Sequence, residues 1–170
     1  IPNSVVKIES SAFRSCRSLE RVTLPNSLEK FEKYIFADCY SLNNVEIPEC
    51  MLRIPSSTFE NCTSLTNIKL HSKLTKISSG CFSGCKSLET IEIPSSVAKI
   101  GSFAFAKCSS LKNIELPSIK KIKDGTFTEC VELVDLKIPS SVEIFGANSF
   151  SGCQKLAEIK LPENLTTIKD

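Results

Sequence analysis

Nine cysteines and a single histidine, His71, are the most reactive side chains in this 170-residue sequence, and their spacing bounds what chemistry they could do. A thiolate nucleophile needs a base beside it, and a structural zinc ion needs four soft ligands converging on one point. No C-x-x-C pair occurs, Cys81 and Cys85 stand four apart with nothing nearby to complete a ligand set, and one histidine is too few for either arrangement. Instead Cys16, Cys39, Cys62, Cys85, Cys108, Cys130 and Cys153 recur at intervals of 23 residues, once 22. Free cysteine in a repeated inward position acts as a small apolar filler. Adjacent units would bring the Cα atoms near bridging distance, but an odd total in a core column favours packing over disulfides. Cys81, in the place before Phe82, is expected to be buried. Cys50, in a turn-serine place after Pro48, is expected to be exposed.

Other chemistries fare no better. The chain has no nucleophile elbow, Walker loop, dinucleotide fingerprint or H-E-x-x-H pair. Carboxylates such as Glu46 and Glu92 belong to separate units, with Asn67-Ile68-Lys69 between them. No enzyme, cofactor or metal is expected. A formal net charge of +2 is too small to indicate a polyanionic partner by itself, and basic residues are not interleaved with aromatics as nucleic-acid binding would require. No run approaches the roughly 18 apolar residues of a spanning helix, so membrane insertion of this segment is not expected.

The elements that position these residues come from a repeat. Phe13, Phe36, Phe59, Phe82, Phe105, Phe127 and Phe150 fix its register, each three residues before a column cysteine. Three residues beyond the cysteine stands Leu, from Leu19 to Leu156. Two apolar residues around a polar one follow, as in Val22-Thr23-Leu24 and Ile91-Glu92-Ile93, the alternation of a short strand with one buried face. Proline then ends the pairing in six of seven units, His71 being the exception. An aliphatic and an Ile or Phe three residues apart, such as Val97 and Ile100, predict a second short extended piece. Ala104-Phe105 to Cys108 has the i, i+3 spacing of one helical turn with both residues inward. One such coil buries too little apolar surface to fold alone, so successive coils must stack. The missing residue between Pro117 and Ile119 should tighten that turn.

These columns resemble the BspA-like, or Treponema pallidum-type, leucine-rich repeat; Ile91-Glu92-Ile93-Pro94-Ser95-Ser96-Val97 through Ala104-Phe105 to Cys108 is close to its consensus. The resemblance covers essentially the whole chain. It implies an α/β solenoid: a right-handed arc of about seven 23-residue coils over 1–170, with short parallel strands on the concave side and short strands and helical turns on the convex side. Members of that family occur on surfaces of oral and gut bacteria and in parasitic protists. Those with assigned roles resemble adhesins for matrix proteins such as fibronectin and fibrinogen, or for other microbes. The chain starts at Ile1 and runs from mid-unit to mid-unit without evident caps, so it is expected to be a piece of a longer protein whose bared coils allow end-to-end self-association.

Solenoids bind through exposed residues on the concave strands. The polar place between the two apolar residues holds Thr23, Glu46, Lys69, Glu92, Glu115, Lys137 and Lys160; the place before the pair holds Arg21, Asn44, Asn67, Thr90, Asn113, Asp135 and Glu158. These columns vary while the core columns do not, and they are the candidate site for a protein or glycan ligand. A second column, Lys7, Lys30, Arg53, Lys76, Lys99 and Lys121, then Ile144 and Thr167, would form a positive stripe able to meet an anionic glycan or lipid headgroup. Glu9, Glu29, Glu32 and Asp124 would partly neutralise it, and lysines that keep a strand edge soluble are the plainer explanation. Ser18, Ser41, Ser64, Ser87 and Ser110 are expected to bond the local backbone. Tyr34 and Tyr40 are expected to form a small aromatic patch. The functional expectation is a cell-surface or secreted adhesion module; the alternative is an intracellular, cytoplasmic scaffold arm that positions a signalling enzyme.

Overall fold

The computed structural model describes residues 1–170. Seven turns of chain, each about 23 residues, stack so that like residues lie over one another, and all strand pairings are parallel. The alternating segments form one set of strands: Asn44–Glu46, Asn67–Lys69, Thr90–Ile91, Asn113–Glu115 and Asp135–Lys137. Their central aliphatic residue is buried and its neighbours are exposed, which is the half-buried pattern of a one-sided sheet. Register is unshifted, with Val45 beside Ile68 and Ile114 beside Leu136.

Proline turns the chain after four of these five strands. Its carbonyl accepts the amide three residues on, as in Met51 N to Pro48 O at 2.9 Å and Val97 N to Pro94 O at 3.0 Å. His71 keeps the same turn through Leu74 N to His71 O. At the shortened coil the bond runs instead from Ile119 N to Pro117 O, a three-residue γ-type turn that absorbs the missing residue.

Two-residue strands follow: Lys7–Ile8, Lys30–Phe31, Arg53–Ile54, Lys76–Ile77, Lys99–Ile100, Lys121–Ile122, Ile144–Phe145 and Thr167–Ile168. This second sheet breaks twice, into groups of two, three and three strands. Glu32, Ser78, Gly101, Gly146 and Lys169 each donate an amide to the preceding coil just beyond their strand. Pro55 occupies that place in the third coil and has no N–H, so Lys30–Phe31 and Arg53–Ile54 do not pair. The other break falls between Lys99–Ile100 and Lys121–Ile122, at the coil shortened by one residue. Gly101 and Gly146 lie where a Cβ would come within 2.3 Å of the backbone nitrogen of Ser79 and Asp124, so those coils touch backbone to backbone.

The expected helical turns are absent: no helix forms anywhere, and the fold is a parallel β-solenoid rather than an α/β one. The i, i+3 bond is present, as in Cys108 N to Phe105 O at 3.2 Å, but the turn does not propagate. Residues two before and two after each of the seven column phenylalanines adopt positive φ, for example Phe103 (58°) and Lys107 (61°), or Gly80 (62°) and Gly84 (76°). Amides consequently alternate in direction. Those of Phe103, Phe105 and Lys107 donate to Asp124, Thr126 and Thr128 of the next coil, while those of Ala104, Ala106 and Cys108 close local turns. An α-helix would point every amide along its own axis and give up three bonds per coil to its neighbour, so stacking overrides the local spacing.

Thirty-eight buried side chains form a single core running along the stack. Its spine is the phenylalanine column. Six successive pairs lie 5.5–5.9 Å apart with planes within 13° of parallel, inside the range for offset stacking.

Candidate functional site

The first sheet carries the candidate site, because its residues must alternate between core and solvent. All fourteen flanking residues, from Arg21 and Thr23 to Glu158 and Lys160, are exposed. Strand register places Asn44 beside Asn67, Glu46 beside Lys69, Thr90 beside Asn113, Asn113 beside Asp135 and Glu115 beside Lys137. An isolated bridge adds Arg21 beside Asn44. Glu158 and Lys160 depart from the expected pattern: their segment is exposed but forms no strand.

Six of these residues converge. Arg21, Thr23, Asn44, Glu46, Asn67 and Lys69 line a depression of about 710 Å³ across the first three coils, with Asn26, Glu49 and His71 from the turns below them. Lys69 Nζ donates to Glu46 Oε1 at 2.9 Å, and that bond holds the lysine pKa above its ordinary value. Lys73 pairs with Glu49 at 2.8 Å and holds the carboxyl below its usual range. Further along the sheet Glu92, Glu115, Lys137 and Lys160 form no ion pair, so an acidic pair of coils is followed by a basic pair. Such a surface offers a sequence of charges and amides for recognition. No group of three or more His, Cys, Asp or Glu side chains converges closely enough to hold a metal ion.

Asn26, Glu49 and His71 were not legible as site residues, since the repeat marks the turn only by its proline. His71 Nδ1 accepts the Lys73 amide at 3.2 Å, which leaves Nε2 to donate to Met51 O at 3.0 Å. The imidazole thus braces its turn across two coils.

The cysteine column does backbone work. Sγ of Cys39, Cys62, Cys85, Cys108, Cys130 and Cys153 each lies 3.0–3.2 Å from the carbonyl oxygen of the phenylalanine one coil earlier. All nine cysteines are free. Burial pushes the Cys39 thiol up to about 11 and Cys108 to about 12, and raises Cys62, Cys81, Cys85 and Cys130 as well. Burial thus favours the protonated thiol in each, and all of these but Cys81 donate it to a carbonyl. Cys81 is buried and Cys50 exposed, each as its column place implies. The serine ladder works differently from expectation. Its amides, as in Ser41 N to Arg17 O and Ser64 N to Tyr40 O, bridge coils, and its hydroxyls make no bond. The tyrosines do not pair either: Arg14 and Lys33 lie over Tyr34, and Arg17 lies over Tyr40 at 5.4 Å.

The BspA type leucine rich repeat region, in six copies, matches residues 1–98 and 75–170. The chain belongs to the BspA-type leucine-rich repeat family. It is similar to the leucine rich repeat protein of T. pallidum, with 36% identity, a TM-score of 0.83, and coverage of 91% of this chain and 72% of that one. A leucine rich cell surface protein of Faecalibacterium prausnitzii shares 25% identity at a TM-score of 0.69, over 99% of this chain and 52% of its own. The pneumococcal vaccine antigen PcpA shares the fold, with 24% identity, a TM-score of 0.56, and coverage of 82% and 44%. No curated protein matches the sequence. The BspA-type solenoid is a protein-interaction fold.

Proposed function

We propose that this BspA-type solenoid is a non-catalytic binding module of a cell surface, which engages a protein or glycan partner through the exposed columns of its first sheet. One observation carries the reading. Positions on the two sides of the same strands behave oppositely: inward residues are aliphatic in every coil, whereas outward ones change in size and charge from coil to coil. Packing explains the first set and places no demand on the second. The depression at Arg21, Asn44 and Lys69 supplies a concave start to that surface. Placement at the cell surface rests on the family and on the cell-surface description of the F. prausnitzii relative.

Immobilised fibronectin and fibrinogen are suitable first ligands. The expected result is measurable binding that a Glu92→Lys, Glu115→Lys double variant weakens by at least tenfold, because two unpaired carboxylates are reversed at the centre of the sheet. Equal binding by the variant and the parent would remove this face from the proposal. A second reading, an intracellular scaffold arm, is favoured by nine unbridged cysteines, six of them hydrogen-bonded as thiols. A signal peptide or anchor in the full-length precursor decides against that alternative.

A further inference from the structure

The basic column of the second sheet divides into two parts that the sequence alone did not separate. In the first two coils the cation is neutralised by a carboxylate two residues on, Lys7 by Glu9 and Lys30 by Glu32. In the next four coils that place holds Pro55, Ser78, Gly101 and Lys123. There Arg53, Lys76, Lys99 and Lys121 are exposed and form no ion pair. Register sets Arg53 beside Lys76 and Lys76 beside Lys99. At a strand spacing of about 4.8 Å the three laddered cations span roughly 10 Å, and Lys121 stands beyond them across the break in the sheet. Like charges directly opposite one another on adjacent strands are unfavourable, so this row costs the fold something unless a counter-charge lies along it.

The row also has a recess. Where Pro55 interrupts the ladder, a cleft of about 720 Å³ opens between the second and third coils, lined on one side by Arg53, Lys76, Ser56 and Ser78 and on the other by Glu29 and the Lys30–Glu32 ion pair. Two unpaired cations from successive coils, Arg53 and Lys76, face the opening with two hydroxyls, while Lys30 is already matched by Glu32.

We infer that this row is a second binding site, for a linear sulfated or carboxylated polysaccharide, with one anionic sugar seated in the Pro55 cleft and the following ones along Lys99 and Lys121. A flexible chain with anions at every sugar matches cations in single file, and hydroxyls suit its ring oxygens and hydroxyl groups. Single-stranded nucleic acid is the poorer match, since successive bases need successive aromatic platforms and only the half-buried Phe31 stands at the cleft. The site lies on a different sheet from the one proposed above to hold a protein or glycan partner, and the two can fail separately.

Heparin is the probe. The protein should bind it at physiological salt, with affinity falling steeply as salt rises. An Arg53→Ala, Lys76→Ala, Lys99→Ala variant should lose about fivefold per cation, or roughly a hundredfold, at a melting temperature no lower than the parent's. An Arg17→Ala, Lys86→Ala, Lys107→Ala variant removes the same charge from exposed positions outside both sheets and should stay within about twofold of the parent. Equal losses in the two variants, or no binding by the parent, overturn the inference. Equal affinity for oligothymidylate or for phosphatidylserine vesicles, with the same dependence on Arg53, Lys76 and Lys99, overturns its assignment to a polysaccharide.

Discussion

Replacing Phe82 with alanine probes the stacking that holds the coils together. The ring is fully buried, with Phe59 at 5.7 Å on one side and Phe105 at 5.6 Å on the other. Its removal forfeits about 2–3 kcal/mol of apolar burial and two stacked contacts of about 0.5–1.5 kcal/mol each. The walls cannot collapse to compensate, because Phe82 N still bonds Ala104 O at 2.8 Å and Phe82 O still accepts the Cys108 thiol at 3.1 Å. A loss of about 3–6 kcal/mol follows, overlapping the range of about 3–5 kcal/mol known for Phe→Ala in rigid cores. Phe13 supplies the internal comparison: it is half-buried and stacks on Phe36 alone, so Phe13→Ala should cost about half as much, about 1.5–3 kcal/mol. Lys76→Ala, at an exposed position, should stay within about 0.5 kcal/mol. Urea titration followed by circular dichroism measures all three. Equal midpoints for Phe82→Ala and Lys76→Ala, or an equal cost at Phe13 and Phe82, would refute the stacking argument.

Two further outcomes are expected. Lys107 has a φ of 61° where glycine carries no Cβ penalty; relief of about 1–2 kcal/mol, less about 0.5–1 kcal/mol of unfolded-chain entropy, makes Lys107→Gly stabilising by about 0.5–1 kcal/mol. Calorimetry should find a raised melting temperature, and a lowered one would contradict the turn geometry. The Lys30 hydrogen bond, aided by the Ser10 hydroxyl and amide, lowers the Glu32 carboxyl from 4.5 to about 2. A depressed carboxylate pKa stabilises the fold above its unfolded value and loses that contribution as pH falls toward the folded one. Stability should therefore decline between about pH 4.5 and 2, and Glu32→Gln should flatten that part of an acid titration, less so in high salt.

The columns that bury side chains were readable in the sequence, because Phe, Cys, Leu and the paired aliphatics each recur at one interval and packing allows little else there. Stacked rings, buried thiols and both sets of strands follow from that regularity. Phe105-to-Cys108 spacing misled about the helix, since i, i+3 is shared by a helical turn and by an isolated turn. The difference lies in the φ of Phe103 and Lys107, and neither residue type advertises a left-handed backbone. Asn61, and Gly80 with Gly84, do carry that signal in their own coils. Binding columns were legible as exposed positions, but their grouping was not. The Arg21–Lys69 depression and the Pro55 cleft arise where coils meet, through a proline that withholds one amide and through turn residues the repeat leaves unspecified.

The alternating amides of the phenylalanine corner limit how such a molecule can change its length. Duplicating any 23-residue stretch reproduces each junction, since donors face one way along the stack and thiols the other. Losing a residue inside the corner would swap inward for outward donors and aim a side chain at solvent where a ring belongs. The proline turn is more forgiving: the coil at Pro117 is one residue short and forfeits only a local strand pairing. Insertions and deletions are thus steered to that one edge, and variety in this family of surfaces can accumulate there without disturbing the spine.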